Sequence, residues 1–261
     1  MIRLLFTLSL VNILLVGTFS RSVAQTSLTP STTWGSWMTG TIQLPAGKRK
    51  WGGFAELQAR SNGVFNQFFY FDVKSGITYE IDRTLSLMVA GAQVSTYDYK
   101  ALADGPLNTE TRLWEQLTLN QFVSRIKFEH RYRIEQRWFN FRNGTMPYRN
   151  RIRYRFNTLL PLNNYTITNK TAFLSIYDEI FVNPIGPVFE RNRIYAGVGY
   201  QFDNQWILQV GWMNQTNYDA ATFDKGIFTP ELATGKNNLI IGLTYRLKRK
   251  NAAEKLPTQS D

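Results

Sequence analysis

Residues 125–138 read R-I-K-F-E-H-R-Y-R-I-E-Q-R-W, and residues 148–156 read Y-R-N-R-I-R-Y-R-F. Arg125, Lys127, Glu129, Arg131, Arg133, Glu135 and Arg137 take every second position of the first run. Ile126, Phe128, Tyr132, Ile134 and Trp138 fall between them. In the second run Arg149, Arg151, Arg153 and Arg155 alternate with Ile152, Tyr154 and Phe156. A period of two is the signature of a β-strand, whose successive side chains point to opposite faces. A soluble β-protein usually turns the charged face to water and the apolar face to a shared core. Here the apolar face is rich in aromatic residues and recurs on many strands. It reads as a face turned to lipid, with the charged face lining a barrel.

The ends of the chain fit that reading. Met1–Ala24 has the form of a cleaved secretory signal peptide: Arg3 near the start, an apolar stretch from Leu4 to Phe19, and the small-residue site Ser22-Val23-Ala24 before Gln25. The apolar stretch is broken by Ser9, Asn12 and Gly17, and it is short for a membrane helix, which needs about 20 apolar residues. Residues 25–247 form the expected barrel domain, and 248–261 a polar tail. The chain has 30 Lys and Arg against 19 Asp and Glu, and no cysteine, so thiolate and disulfide chemistry are excluded.

About eleven β segments can be read: 33–44, 50–60, 68–81, 85–97, 110–119, 125–138, 148–160, 166–181, 189–202, 206–217 and 237–247. Most reach the roughly 9–11 residues that a tilted transmembrane strand needs. In 85–97 the faces are ambiguous, because Leu85, Leu87 and Val89 compete with Met88, Ala90, Ala92 and Val94. Connections alternate in length. Pro45–Arg49, Asp82–Thr84, Asn120–Ser124, Leu162–Tyr165 and Asp203–Gln205 are short. Ser61–Gln67, Asp98–Thr109, Phe139–Pro147, Val182–Val188 and Tyr218–Lys236 are longer. Short periplasmic turns and longer external loops mark outer-membrane barrels. With the short turns placed inside, the first strand runs inward, so an even barrel needs one strand more. The expected fold is all-β: a single antiparallel transmembrane β-barrel of about 12 strands, with 10 as the alternative. Trp34, Trp51, Tyr148, Trp206 and Trp212 sit near strand ends, where interfacial girdles form. Gly242-Leu243-Thr244-Tyr245-Arg246-Leu247 is similar to the C-terminal signal read by the barrel-assembly machinery, although a polar tail follows it. A soluble periplasmic barrel or sandwich is the competing architecture, and the density of outward aromatics speaks against it.

R-Y-R-I-E-Q-R-W at 131–138, R-I-R-Y-R at 151–155, R-N-R-I-Y-A-G-V-G-Y at 191–200 and G-W-M-N-Q at 211–215 resemble a Bacteroidetes-type family catalogued as domain of unknown function 2490. The resemblance runs from about Trp37 to Leu247. It implies an outer-membrane-type barrel and carries no catalytic residues to transfer.

The basic ladder is the strongest chemical signal. Arg125, Lys127, Arg131, Arg133, Arg137, Arg149, Arg151, Arg153, Arg155, Arg191 and Arg193 are expected to point inward, with Glu129, Glu135 and Glu179 among them. Unpaired arginines in a closed lumen would cost several kcal/mol each. Two arrangements relieve this: an internal Arg–Glu network drawing also on Glu56, Glu80 and Glu110, or a cationic constriction that passes or binds small anions. An enzyme reading must use His130, the only histidine. A hairpin about 120–124 would bring Glu115 near it, as a weak catalytic pair for a lipase or deacylase. No nucleophile completes the pair, because Ser124 lies six residues from His130, about 20 Å along a strand. No metal or cofactor set, phosphate loop or nucleophile elbow is present. Nucleic-acid binding needs an accessible basic surface, whereas this charge alternates with lipid-type residues. The expectation is a non-enzymatic outer-membrane barrel without a cofactor, structural or narrowly anion-attracting. Its partners would be outer-membrane lipids and lipopolysaccharide, the barrel-assembly machinery and small anions.

Overall fold

A computed structural model describes residues 28–30, 33–185, 189–219, 222–224, 227–229 and 232–249. The leader Met1–Ala24 lies outside the described residues, as does the tail beyond Arg249. Eleven long strands make the wall: β1 (Gly35–Leu44), β2 (Trp51–Gly63), β3 (Asn66–Glu80), β4 (Leu85–Tyr97), β5 (Pro106–Val123), β6 (Ile126–Phe141), β7 (Tyr148–Pro161), β8 (Thr171–Val182), β9 (Phe189–Gln201), β10 (Trp206–Asp219) and β11 (Leu232–Arg246). Each pairs antiparallel with the next in sequence.

The barrel closes where β11 meets β1, and that pairing is parallel, from Asn238 opposite Gly35 to Arg246 opposite Gln43. Leu28–Pro30 extends the seam against Ala233–Gly235. An all-antiparallel ring must hold an even number of strands, because direction reverses at every step. One parallel seam lifts that requirement. The first strand does run toward the short turns, as the sequence implies, but eleven strands close the ring without the twelfth that parity asked for.

Alternation sorts the wall into two faces. Every strand sets at least one large apolar side chain on the exposed outer face, among them Ile42, Leu57, Val73, Val89, Leu113 and Ile134 on the first six, and Ile152, Ile176, Val198, Val210 and Leu243 on the rest. Aromatic pairs ring both ends. Trp51–Tyr79 (4.8 Å between centroids) and Trp206–Tyr245 (4.6 Å) lie at the short-turn end. Trp138–Tyr148 (5.3 Å) and Phe189–Tyr218 (4.7 Å) lie at the other.

Several connections depart from the expected lengths, and two of them change in kind. Between β2 and β3 the chain turns on Val64 and Phe65 alone, so the loop expected over Ser61–Gln67 is a tight hairpin. Between β7 and β8 the connection runs from Leu162 to Lys170, longer than the expected Leu162–Tyr165. Residues 166–170, expected in a strand, are held by side chains instead. Asn163 Oδ1 accepts from the Ala172 N–H (2.9 Å), and Thr171 Oγ1 accepts from Asn164 Nδ2 (2.7 Å) and the Thr168 N–H (3.1 Å). Such local bonds compete with a ladder. The loop carries Ile167 against Leu159, Phe173 and Ile207, and this buried cluster lies inside the short-turn end of the barrel.

Eight strands enclose a space that side chains can just fill, and eleven enclose more. Long guanidinium side chains and inward rings occupy it. Trp37, Tyr177, Tyr195, Met213 and Ile240 form one buried cluster, and Trp114 packs with Ala90, Ala92 and Val94 in another. The ambiguous β4 thus turns Ala90, Ala92 and Val94 inward. Gly199 leaves room for Phe173, since a Cβ there would lie 2.1 Å from its ring.

Candidate functional site: a buried arginine–glutamate lattice

Twelve of the fourteen charged residues expected in the lumen meet there, all on β6, β7, β8 and β9. Lys127, Glu129, Arg131, Arg133, Glu135, Arg151, Arg153, Arg155, Glu179 and Arg193 are buried, and Arg137 and Arg191 lie partly so. The remaining two, Arg125 and Arg149, are exposed at opposite ends of the barrel. Register explains the convergence. Glu135 stands opposite Arg151, and Glu179 stands opposite both Arg155 and Arg193.

Glu135, fully buried, accepts from Arg151 Nη2 (2.6 Å) and Arg153 Nη1 (2.7 Å) and has Arg133 Nη1 at 3.5 Å. Glu179 accepts from Arg131 Nη2 (2.5 Å) and Arg153 Nη2 (2.8 Å), with Arg193 Nη1 at 3.7 Å. Glu129 takes Lys127 (3.1 Å) and Arg155 (3.4 Å). Glu110 on β5 holds Arg112 (2.8 Å) and Arg137 (2.6 Å). Glu190, within the β9 irregularity between Phe189 and Arg191, reaches Arg151 (3.0 Å). Arg153 therefore joins β6, β7 and β8 through two carboxylates.

Arginines outnumber acids, and the surplus is met by amides and rings. Arg133 donates through Nε (2.9 Å) and Nη2 (2.7 Å) to Gln116 Oε1, and Arg193 Nε donates to Gln215 (2.9 Å). Arg151, Arg153, Arg191 and Arg193 lie within 5.7 Å of the Phe181 ring, at 5.0, 4.6, 5.7 and 4.7 Å. Arg60 is sandwiched between Trp37 (3.8 Å) and Tyr70 (4.0 Å). A desolvated cation over an aromatic face gains about 2 kcal/mol. A cavity of about 90 Å³ lies beside Glu56, Lys74, Glu129, Arg131, Arg133 and Arg155.

Sequence reasoning missed several partners. Arg60, Lys74, Arg112 and Glu190 also line the interior, with Lys74 between Glu56 (2.7 Å) and Asp72 (3.3 Å). Arg60, Lys74 and Arg112 sit on the inner-face parity of their strands, which was the available signal. Glu190 has the opposite parity and is brought inward by the register shift between Phe189 and Arg191. Of the further acids expected, Glu56 and Glu110 join through these pairs, and Glu80 lines a separate cavity toward the short turns.

The His130–Glu115 pair does not form. His130 stands opposite Leu119 and Glu115 opposite Ile134, because the hairpin turns on Ser124 and Arg125, later than expected. His130 Nδ1 is 2.8 Å from Tyr154 Oη, and Glu115 accepts instead from Gln136 Nε2 (3.1 Å). Ser124 Oγ lies 3.4 Å from Tyr165 Oη at the short-turn end. No three His, Cys, Asp or Glu side chains converge as metal ligands among the described residues.

Outside the wall, two turn carboxylates are held below the ordinary carboxylate range. Asp82 Oδ1 accepts from the Thr84 hydroxyl (2.7 Å), the Thr84 N–H (2.7 Å) and the Leu85 N–H (2.9 Å). Asp203 Oδ1 accepts from the Trp206 (2.8 Å) and Gln205 (2.7 Å) N–H groups.

Residues 34–226, which carry ten of the eleven strands and most of the lattice, match the family described as protein of unknown function (DUF2490). The chain belongs to that family. No curated protein and no solved structure matches it. This member of DUF2490 is thus a closed β-barrel with a charged, filled interior.

Proposed function

We propose that this DUF2490 protein is an outer-membrane barrel with a closed lumen, in which the arginine–glutamate lattice braces the wall from inside. The observation that carries the reading is the full burial of Glu135 between Arg151 and Arg153. A conducting constriction keeps its charges hydrated and open to passing ions. These charges are spent on one another and on Phe181. The apolar outer face of every strand and the aromatic pairs at both ends support a membrane setting. The leader expected at Met1–Ala24 and the short turns support an outer membrane with the short-turn end in the periplasm. The partners in this reading are the surrounding lipids, lipopolysaccharide and the machinery that assembles barrels. The reading assigns no catalytic step, since His130 meets neither a carboxylate nor a nucleophile.

The test is a planar bilayer with a salt gradient, using refolded protein whose heat-modifiable migration shows an intact barrel. The expected result is no steady conductance. A steady anion-selective current, reduced by R151Q and R153Q together, would overturn the closed reading and make the protein a narrow anion pore.

A further inference from the structure

Among the described residues, eleven Lys and Arg are buried but only six Asp and Glu. Buried charge without compensation is costly, and a closed wall cuts the surplus off from the counter-ions of bulk water. Amides and rings meet part of it. An anion held inside would meet more, and one cavity has the chemistry for it.

The cavity of about 90 Å³ lies against the inner face of the β5–β6 hairpin. Register puts Arg133 opposite Gln116 and Arg131 opposite Thr118, and Trp114 is the next inward residue of β5 beyond Gln116. All five line the cavity. The Arg133 guanidinium sits 4.8 Å from the centre of the Trp114 ring. It donates to a neutral acceptor, Gln116 Oε1, at 2.7 and 2.9 Å, and has Glu135 at 3.5 Å. The two acids that border the cavity are already engaged. Glu56 accepts from Lys74 (2.7 Å) and Thr41 (3.0 Å), and Glu129 from Lys127 (3.1 Å) and Arg155 (3.4 Å). With Lys74, Arg131, Arg133 and Arg155 around it, the cavity has a positive balance.

Two neutral donors there call for an acceptor. Trp114 is buried, and its Nε1 has no hydrogen-bond partner among the described residues. Buried polar groups are ordinarily bonded, and an indole N–H can only donate. Thr118 Oγ1 accepts from Gln116 Nε2 (3.1 Å), which leaves its own hydroxyl proton to donate. A compact anion with no proton of its own suits this set. One water needs roughly 10–15 Å³ of such space, so the cavity takes a single ion with part of its water shell and nothing much larger.

We propose that this cavity binds one small inorganic anion of the chloride class, held by the Trp114 N–H, the Thr118 hydroxyl and the Arg133 guanidinium, as a fixed counter-ion of the lattice. The proposal rests on the closed-lumen reading, since an open lumen would let mobile ions neutralise the surplus. No bond is made or broken.

The experiment refolds the full chain in detergent at constant ionic strength, with sodium bromide replacing sodium gluconate, whose anion is too large for the cavity. A ligand that binds only the folded state raises stability with the logarithm of its concentration above its dissociation constant. The temperature at which the fast-migrating form is lost should rise in that way with bromide. W114F keeps a ring in place and removes the N–H. In W114F the rise should begin at about tenfold higher bromide, the loss expected for one hydrogen bond to a charge. Crystals grown in bromide should show its anomalous scattering beside Trp114 and Arg133, a readout that needs no variant to fold. Equal stability in bromide and gluconate would mean that the cavity holds water, and overturns the proposal. So does a bromide response that W114F leaves unchanged, or anomalous scattering only elsewhere. Conductance on the same preparation keeps the two readings apart. A conducting barrel with bromide beside Trp114 sinks only the closed lumen, and a silent barrel without it sinks only the site.

Discussion

Arg153 and Glu135 stand on adjacent strands, β7 and β6, with Nη1 2.7 Å from Oε1, and neither is open to solvent. The same guanidinium holds Glu179 on β8 at 2.8 Å. Removing one partner of a buried ion pair leaves the other charge uncompensated, which costs about 3–5 kcal/mol. E135A should therefore destabilise the barrel by about that amount. The readout is the temperature at which the folded, fast-migrating form is lost on a detergent gel. E115A, on the outer face, is the control and should shift it little. Equal behaviour of the two variants would mean that the lattice does not brace the wall.

The fit of Phe173 against Gly199 gives a second expectation. An added methyl would meet the ring at 2.1 Å, and overpacking a filled interior costs about 1–3 kcal/mol. G199A should lower stability by that amount, and F173L in the same chain should recover part of it. A G199A protein as stable as the parent would show that the ring does not lie over this glycine.

The parallel seam is open to direct chemical proof. Gly40 and Leu243 are partners across it, both on the outer face. The chain has no cysteine, so G40C with L243C introduces the only pair. Strand neighbours lie within the roughly 4.4–6.8 Å of Cα separation that a disulfide spans. Oxidation should lock the barrel and abolish heat-modifiable migration until a reductant is added. Failure to cross-link in the folded protein would mean a different closure.

Acid should loosen two turns at the short-turn end. Asp82 and Asp203 are held below the usual carboxylate range by the hydrogen bonds they accept. Groups so depressed contribute stability that is complete above the unfolded value, about 3.9. The contribution is lost as pH falls through the folded value. Amide exchange at Thr84, Leu85, Gln205 and Trp206 should accelerate relative to strand amides below about pH 4, and D82A should remove the pH dependence at the first pair. Exchange at these sites that keeps pace with the strand amides would show that the carboxylates do not hold the turns.

The enzyme reading of His130 remains open to experiment. The protein incubated with phospholipid should release no fatty acid, and H130A should not change the outcome. Release that disappears in H130A would make this outer-wall histidine catalytic after all.

How far the sequence reached depended on whether a signal was local. The inward run of Arg131, Arg133, Arg151 and Arg153 was legible because strand parity belongs to each strand alone. The faces of β4 were not legible, because Met88 and Leu87 are equally apolar. The choice lies with Trp114 on the neighbouring strand, which needs Ala90 and Ala92 beside it. The loop at 162–170 imitated a strand through the alternating Thr166, Ile167 and Thr168, while the Asn163 and Thr171 bonds that fold it reach across seven to nine residues. The His130 pairing failed on a hairpin that turns with Ser124 at φ 54°, a position that glycine or asparagine would have announced. The parallel seam had no local mark at all, since it joins the two ends of the wall.

That seam has a topological consequence. β1 and β11 travel the same way, so β1 starts at the mouth opposite the one where β11 finishes. Gly35 and Arg246 therefore lie at opposite mouths of the barrel. If the wall spans a membrane as proposed, a peptide label fused before β1 and one fused after β11 would report on different compartments, and assembly would have to carry one end of the chain across the bilayer before the ring shuts.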